Sequence, residues 1–207
     1  MLILGITGQT GSGKDAICRF IQDNVESVSF VRFSQALTEA LSLFVQDIKK
    51  EDQQWLGNVL RERFGADIIA KSVAKKIENS KTEIVILNGI RYQVELELLK
   101  SLNGKLIYVS APANTRWERV LNRGEKKDDN SSFEKFQELD SAPTEKGIIE
   151  IAQQADFVIE NNGTYDQLMQ KVREVLKELQ IPIKIKSVNL ENTVKTSNGE
   201  SIETRDI

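Results

Sequence analysis

Histidine is absent from the chain. Imidazole bases, phosphohistidine intermediates and imidazole metal sites are therefore excluded, and proton chemistry falls to carboxylates. Cysteine occurs once, as Cys18. A single cysteine rules out an internal disulfide and a cysteine-rich metal site, and it fits a reducing compartment. No apolar run approaches the roughly 18 residues that a membrane span needs. The apolar start, Leu2 to Thr7, is too short for a secretion signal and lacks a basic lead-in. These absences lead to the expectation of a cytoplasmic protein with no membrane partner. The net charge of −3 exerts no global pull toward nucleic acid, so none is expected as a partner. A length of 207 residues suits one domain with appendages.

What is present begins at the N-terminus. The apolar run leads into Gly8-Gln9-Thr10-Gly11-Ser12-Gly13-Lys14-Asp15-Ala16, a phosphate-loop pattern G-x-x-x-x-G-K that has Asp where Ser or Thr is expected. The glycines let backbone N–H groups turn inward around an anion. The following helix adds the positive end of its dipole, and Lys14 adds a point charge for the outer phosphates. Residues Gly8 to Ala16 are thus the expected ATP cradle. Asp15 cannot donate to an anion and is expected to act through Mg²⁺.

Strand and helix signals then alternate, predicting an α/β fold with a parallel sheet. Strands are expected at residues 28–33, 83–89, 105–110 and 156–160, after the first at 2–7. Between the second and third lie three helical patterns. In the first, Leu37, Ala40, Leu41, Phe44, Val45 and Ile48 share one face behind Ser34 as N-cap. Trp55, Leu56, Val59 and Leu60 mark the next, and Ala66 to Ile77 the third. Residues 34–79 are read as a helical insertion at the sheet edge that carries ligands. Helices are also predicted near 93–102, 114–122 and 165–179, with a short one holding Phe133 and Phe136 behind a Ser131/Glu134 capping box. The tail from Ile181 onward, with Asn198-Gly199 as a turn signal, reads as one or two added strands or partly ordered chain.

Arg116, Arg119 and Arg123 fall at i, i+3 and i+7 and share a helical face after the fourth strand. Charge spreads over the oxygens of a transferring phosphoryl group, and clustered guanidiniums suit that charge. The bland alternative is a solvated face paired with Glu118, Glu125 or Asp128. Arg61 and Arg91 are candidate ligands for an acceptor phosphate, Arg91 because it follows a strand's C-terminal end. For Arg61 a salt bridge to Glu62 or Asp67 is an equal reading. Guanine-reading, switch and transporter-ATPase signatures are missing, which leaves nucleoside or nucleotide kinases as the expected class. No acid follows the second strand, where Arg32-Phe33-Ser34 stand, so no base for a hydroxyl acceptor is evident.

Further stretches support that class. Leu56 to Asp67 (LGNVLRERFGAD), Asn88-Gly89-Ile90-Arg91, Ala111 to Arg123 (APANTRWERVLNR), Asp128-Asp129 and Ala155 to Asn161 (ADFVIEN) follow the loop in order. The series resembles P-loop kinases related to dephospho-CoA kinase and to phage-type deoxynucleoside monophosphate kinase, including a branch known only as AAA-type or kinase-like. It covers about residues 1–180. The resemblance implies an ATP-dependent kinase with a P-loop NTPase three-layer fold and a five-stranded parallel core. It also implies acceptor binding by the insertion, an arginine-bearing lid around residues 116–130, and a separate extension over 181–207. Gly-Lys-Asp is similar to the phage-type enzymes. The turn after Ala155–Asn161 looks like one that lies near adenine in dephospho-CoA kinases. Two departures stand out: the acidic pair after the second strand is missing, and Asn88 replaces an Asp.

The expectation is Mg-ATP-dependent transfer to a small nucleotide, foremost a (deoxy)nucleoside monophosphate. Lys14, Arg116, Arg119 and Arg123 would serve catalysis, and Arg61 and Arg91 the acceptor. Alternatives are a dephospho-CoA-kinase-like enzyme, or a nucleotide sensor or ATPase without kinase activity. Self-association is left open.

Overall fold

The computed structural model describes residues 1–123 and 132–184. Five strands form one parallel sheet: β1 (Leu2–Thr7), β2 (Val28–Val31), β3 (Ile84–Asn88), β4 (Lys105–Ser110) and β5 (Phe157–Glu160), in the order β2-β3-β1-β4-β5. Parallel neighbours require crossovers, and helices supply them on both faces. The helices are α1 (Lys14–Asn24), α2 (Phe33–Ser42), α3 (Lys50–Phe64), α4 (Ile68–Glu78), α5 (Gln93–Ser101), α6 (Ala113–Arg123), α7 (Phe133–Asp140), α8 (Pro143–Ala152) and α9 (Tyr165–Glu178). The expected three-layer α/β architecture is the one observed.

The period-2 alternation of strand side chains divides the core in two. Leu4, Ile6, Ile86, Ile107, Val109 and Ile159 face α1 and α9, meeting Ile17, Phe20, Ile21, Leu168, Val172 and Leu176. Ile3, Val85, Leu87 and Leu106 face the other way, onto Val73 and Ile77 of α4, Leu96 and Leu99 of α5, and Ile151 of α8. At about 1.5–3 kcal/mol for each fully buried aliphatic side chain, these two layers supply the main drive for folding. Central β1 is registered between β3 (Ile6 beside Asn88) and β4 (Ile6 beside Ile107). The loop after Thr7 therefore emerges at the C-terminal edge of the sheet, where ligands bind in open α/β folds.

Several local expectations change. The helix expected to run to Ile48 ends at Ser42, where Leu43 and Phe44 N–H groups bond the Ala40 and Leu41 carbonyls in a tightened last turn. Phe44 is then 86% exposed. Its apolar spacing marked a face, but no element among the described residues lies over it. Ser34 is not the cap of α2: Arg32 occupies the N-cap, with no side-chain cap bond. On α3, Leu56 and Leu60 pack on the core while Trp55 and Val59 are exposed. Helix α7 is capped by Ser132, whose hydroxyl accepts from the Lys135 N–H. The expected cap, Ser131, lies outside the described residues. So do the lid residues 124–130, with Asp128 and Asp129, and the tail from 185 on. Residues 181–184 are described: Ile181 is buried, and the Lys184 N–H donates to the Asn24 carbonyl.

Candidate functional site: a phosphate loop braced by two carboxylates

The loop between β1 and α1 has the backbone that its glycines permit. Gly11 and Gly13 sit at φ +80° and +104°, left-handed values that L side chains rarely adopt. Gly11 lies against the Arg116 backbone, where a Cβ would stand 2.5 Å from the Arg116 carbonyl oxygen, and a Cβ on Gly13 would strike the Asn161 amide. The loop is thus pressed between α6 and the turn after β5. Asn161 makes that tie explicit: its Nδ2 donates to the Ser12 carbonyl at 2.8 Å. Ala16, in the first turn of α1, packs against the core.

Lys14 reaches back to donate to the Gln9 carbonyl at 3.0 Å. Burial, then the Arg91 charge, pull its pKa from 10.5 down to about 8, against smaller opposing effects of Asp15 and Glu145. A cation desolvated in this way gains most from an anion brought to it. Ser12 Oγ and Arg119 Nη1 are buried without hydrogen-bond partners among the described residues. Burial also lowers the Arg119 pKa from its ordinary value. The other end of the Arg119 fork, Nη2, donates to the backbone and side-chain oxygens of Asn161 at 3.1 and 3.2 Å. A cavity of about 400 Å³ opens beside this turn, lined by Asn161, Asn162, Gly163, Gln167, Leu168 and Lys171 among others.

The arginine face proposed from sequence is divided by the structure. Arg116 is 3% exposed and makes a bidentate pair with Asp140 at 2.6 and 2.7 Å. Its Nε donates to the Ala111 carbonyl, its Nη1 also reaches the Thr10 carbonyl, and its guanidinium lies over the Phe136 ring. That geometry makes Arg116 a brace between α6, α7 and the loop. Arg123 closes α6 and makes contacts of its own. The pairings weighed from sequence, with Glu118, Glu125 or Asp128, gave no hint of Asp140.

Arg91 follows β3 and pairs with Glu145 of α8. The same carboxylate, on a residue only 7% exposed, accepts from the Thr10 N–H at 3.2 Å and lies 3.4 Å from the Thr10 hydroxyl. Asp140 similarly accepts from Gln9 Nε2 at 3.1 Å. Two acids on α7 and α8 therefore hold the two non-glycine residues that open the loop. Neither acid was singled out from sequence. Helix α8 itself was missed, although Pro143 at its start was a usable signal.

Arg61 makes neither expected salt bridge. Asp67 pairs with Lys71, and the Arg61 guanidinium stacks 4.7 Å from the centre of the Tyr92 ring. Asp15 is well exposed and meets Arg32 at 3.5 Å, so a cation stands where the family resemblance implied acids. Mg²⁺ takes one or two carboxylates and completes its shell with substrate phosphates and water. A lone accessible carboxylate at the head of α1 fits that demand. Among the described residues no group of three His, Cys, Asp or Glu side chains forms a protein-only metal site.

Glu95 caps α5 by accepting from the Arg91 and Tyr92 N–H groups at 2.7 and 3.2 Å. Burial raises its pKa from 4.5 to about 7, and those two bonds oppose the rise only in part. The folded state therefore binds the extra proton between these values. The stabilisation is complete below pH 4.5 and is lost as the pH passes 7, by about 3 kcal/mol at most. Glu95→Gln keeps an acceptor oxygen without the charge. Urea unfolding at pH 5 and pH 8 is expected to show the variant losing much less stability than the wild type over that interval. Equal losses would mean that Glu95 is not the group responsible.

Sheet order, loop and flanking helices define a P-loop nucleotide-binding domain of kinase-like fold. A family model described as AAA domain matches residues 4–140. The UPF0200 protein of Sulfurisphaera tokodaii is 30% identical over 179 residues, covering 86% of this chain and 97% of that one. The chain therefore belongs to the AAA domain family and to the UPF0200 proteins. A UPF0200/UPF0201 protein of Archaeoglobus fulgidus is 31% identical over 209 residues, covering 97% of this chain but 61% of its own longer sequence. Among solved structures, shikimate kinase from Bacteroides thetaiotaomicron aligns at TM-score 0.55 with 15% identity, over 87% of this chain and 99% of that one. TT1252 from Thermus thermophilus aligns at 0.54 with 23% identity, over 86% and 97%. At such identities the likeness is one of fold. No helix among the described residues is long and apolar enough to cross a membrane.

Proposed function

We propose that this protein transfers the γ-phosphoryl group of Mg-ATP to a small nucleotide, foremost a (deoxy)nucleoside monophosphate. The observation that carries the reading is the meeting of Arg91 with the loop: one carboxylate, Glu145, touches both Arg91 and Thr10. A donor-phosphate site and a candidate acceptor-phosphate ligand thus share one sheet edge. In-line transfer needs that proximity, because positioning and electrostatics account for most of the catalysis of phosphoryl transfer.

In this reading the N–H groups of Gly11 to Asp15, with Lys14, hold the donor's β- and γ-phosphates. Asp15 holds Mg²⁺, which when bound neutralises charge on those oxygens. Arg119 offers its Nη1, unpartnered among the described residues, to the donor, and Arg123 lies one turn further along α6. Arg116 acts indirectly, by fixing α6 against the loop. Arg91 takes the acceptor phosphate, and Arg61, steadied on Tyr92, lines the same side. A phosphate acceptor needs no general base. That agrees with Arg32 in place of an acid after β2, and with the lack of any histidine. It also favours a monophosphate over dephospho-CoA, whose acceptor is a hydroxyl.

The test is incubation with Mg-ATP and a panel of nucleoside monophosphates plus dephospho-CoA, followed by assay of ADP. ADP that forms only with an acceptor is the expected result, and the panel then names the acceptor. ADP formed equally without one would make the protein an ATPase. Binding without turnover would make it a sensor.

A further inference from the structure

We infer that Glu145 is a positioning residue of the phosphotransfer site, aligning the donor loop with the arginine that receives the acceptor. The inference rests on the kinase reading above and extends it to a residue outside the loop and the arginine series. Glu145 is the third residue past Ala142, the N-cap of a helix that starts at Pro143. Its carboxylate is held from two sides. Thr10 contributes its N–H to Oε2 and its hydroxyl to Oε1, and Arg91 donates Nη1 to Oε1. A buried carboxylate with charge-assisted bonds to both partners fixes their separation far better than packing alone would.

What Glu145 leaves free is equally informative. It occupies Thr10, at the opening of the loop, and takes none of the Gly11 to Asp15 N–H groups, of which that of Ser12 donates to the Gln9 carbonyl. Asp140 repeats the arrangement one residue earlier, taking Gln9 while it neutralises Arg116. The acids of α7 and α8 therefore stiffen the non-glycine half of the loop and set two arginines around it. Of the two, only Glu145 reaches an arginine at the acceptor side. Arg91 is otherwise on a loop, and its guanidinium is only about two-thirds covered, with side-chain exposure of 35%. Without a tether it would sample several rotamers, and misplacement of about 1 Å can cost on the order of 10²-fold in rate.

A tether of this kind has a signature that separates it from two other roles. Glu145→Gln removes a negative charge beside Arg91, Lys14 and the loop, so anions should bind as well as before or a few-fold more tightly. Turnover should nevertheless fall, because Arg91 is no longer aimed. The expected result is a kcat reduced about 10- to 100-fold at saturating Mg-ATP and acceptor, with ADP affinity held or raised even though the melting temperature falls, since the new amide –NH₂ faces a Thr10 or Arg91 donor in either place. A purely structural residue would instead lose binding, stability and turnover together. A carboxylate that merely blocks the site would release it, raising kcat and tightening ADP binding. Either pattern overturns the inference, as does an unchanged kcat.

Failure of the kinase reading is distinguishable from failure of this one. If the wild-type protein transfers phosphate to no acceptor, the functional assignment falls by itself. The tether is then read without turnover, in urea-unfolding midpoints of Glu145→Gln, Arg91→Gln and the double variant. Midpoint shifts that fail to add support a Glu145–Arg91 link, and additive shifts overturn it.

Discussion

Replacing Lys14 by methionine is expected to lower phosphoryl transfer by on the order of 10³-fold while making the nucleotide-free protein more stable. The two effects have one origin. Lys14 is held in a desolvated position beside Arg91, and its pKa of about 8 records the cost of keeping a cation there. The unfolded chain, with an ordinary value of 10.5, binds more protons than the native state between these two pH values. Wild-type stability should therefore gain from Lys14 deprotonation as pH rises from 8 to 10.5, and Lys14→Met should lack that gain. At neutral pH the penalty is removed outright, though the bond to the Gln9 carbonyl goes with it. A net gain of about 1–2 kcal/mol corresponds to a melting point higher by roughly 3–6 °C in a chain of this size. Nucleotide phosphates should restore the lysine's charge, so that binding above pH 8 takes up a proton in wild type and none in the variant. Thermal unfolding, acceptor-dependent ADP release and calorimetry in two buffers test the three parts. Full activity in the variant would sink the site assignment, and a lower melting point would sink the desolvation account.

The same lysine shows how the sequence could be read. Gly8 to Lys14 is a contiguous motif, so its geometry is written locally: glycines at left-handed positions, a strand before, a helix after. The five strands were likewise legible, because apolar runs such as Ile84-Val85-Ile86-Leu87 are buried on both faces of a parallel sheet. Periodicity was less informative where none of the described elements covers the face. Phe44 and Trp55 carry helical spacing yet face outward, since spacing identifies a stripe and not the element that covers it. Helix α8 was invisible for the opposite reason. It is short, Ile148 and Ile151 are the buried ones among its described apolar side chains, and its defining residue is a carboxylate.

The pairings that shape the site were not legible at all. Arg116 finds Asp140 across 24 residues, and Arg91 finds Glu145 across 54. A charged residue on a predicted helix face reads as solvated unless its partner is known, and partners this distant are fixed by the packing of α6, α7 and α8. Arginine spacing thus placed these residues on one helix but carried no sign of the Arg116–Asp140 pair. Burial separated Arg116, which braces, from Arg119, which keeps a donor unmatched among the described residues.

Breaking that brace should cost the fold heavily. Asp140→Asn is expected to cost about 3–5 kcal/mol, the range for leaving one partner of a buried ion pair uncompensated. The guanidinium of Arg116 would remain charged at 3% exposure, with only the Ala111 and Thr10 carbonyls to receive it. The new amide cannot imitate the carboxylate. Both original oxygens accept, one of them from Arg116 Nη2 and Gln9 Nε2 together, so an –NH₂ in either place faces a donor. Removing both charges is a different matter. Arg116→Met with Asp140→Leu replaces the pair by apolar volume and should recover most of the loss, because the desolvation cost disappears with the attraction. The Arg116→Met single variant would leave Asp140 with the Gln9 bond alone and fall between. Urea unfolding of the wild type, Arg116→Met, Asp140→Leu and their double variant gives the coupling directly. A loss below about 1 kcal/mol for Asp140→Asn would place the pair with ordinary surface salt bridges and remove its role as a brace. The loop should report the same event. Gly11 abuts the Arg116 backbone, so a loosened α6 gives the cradle room to open. In Asp140→Asn, ADP affinity is therefore expected to fall together with stability, whereas Glu145→Gln should leave ADP affinity intact. The contrast between these two neighbouring acids distinguishes holding the loop in place from aiming what lies beside it.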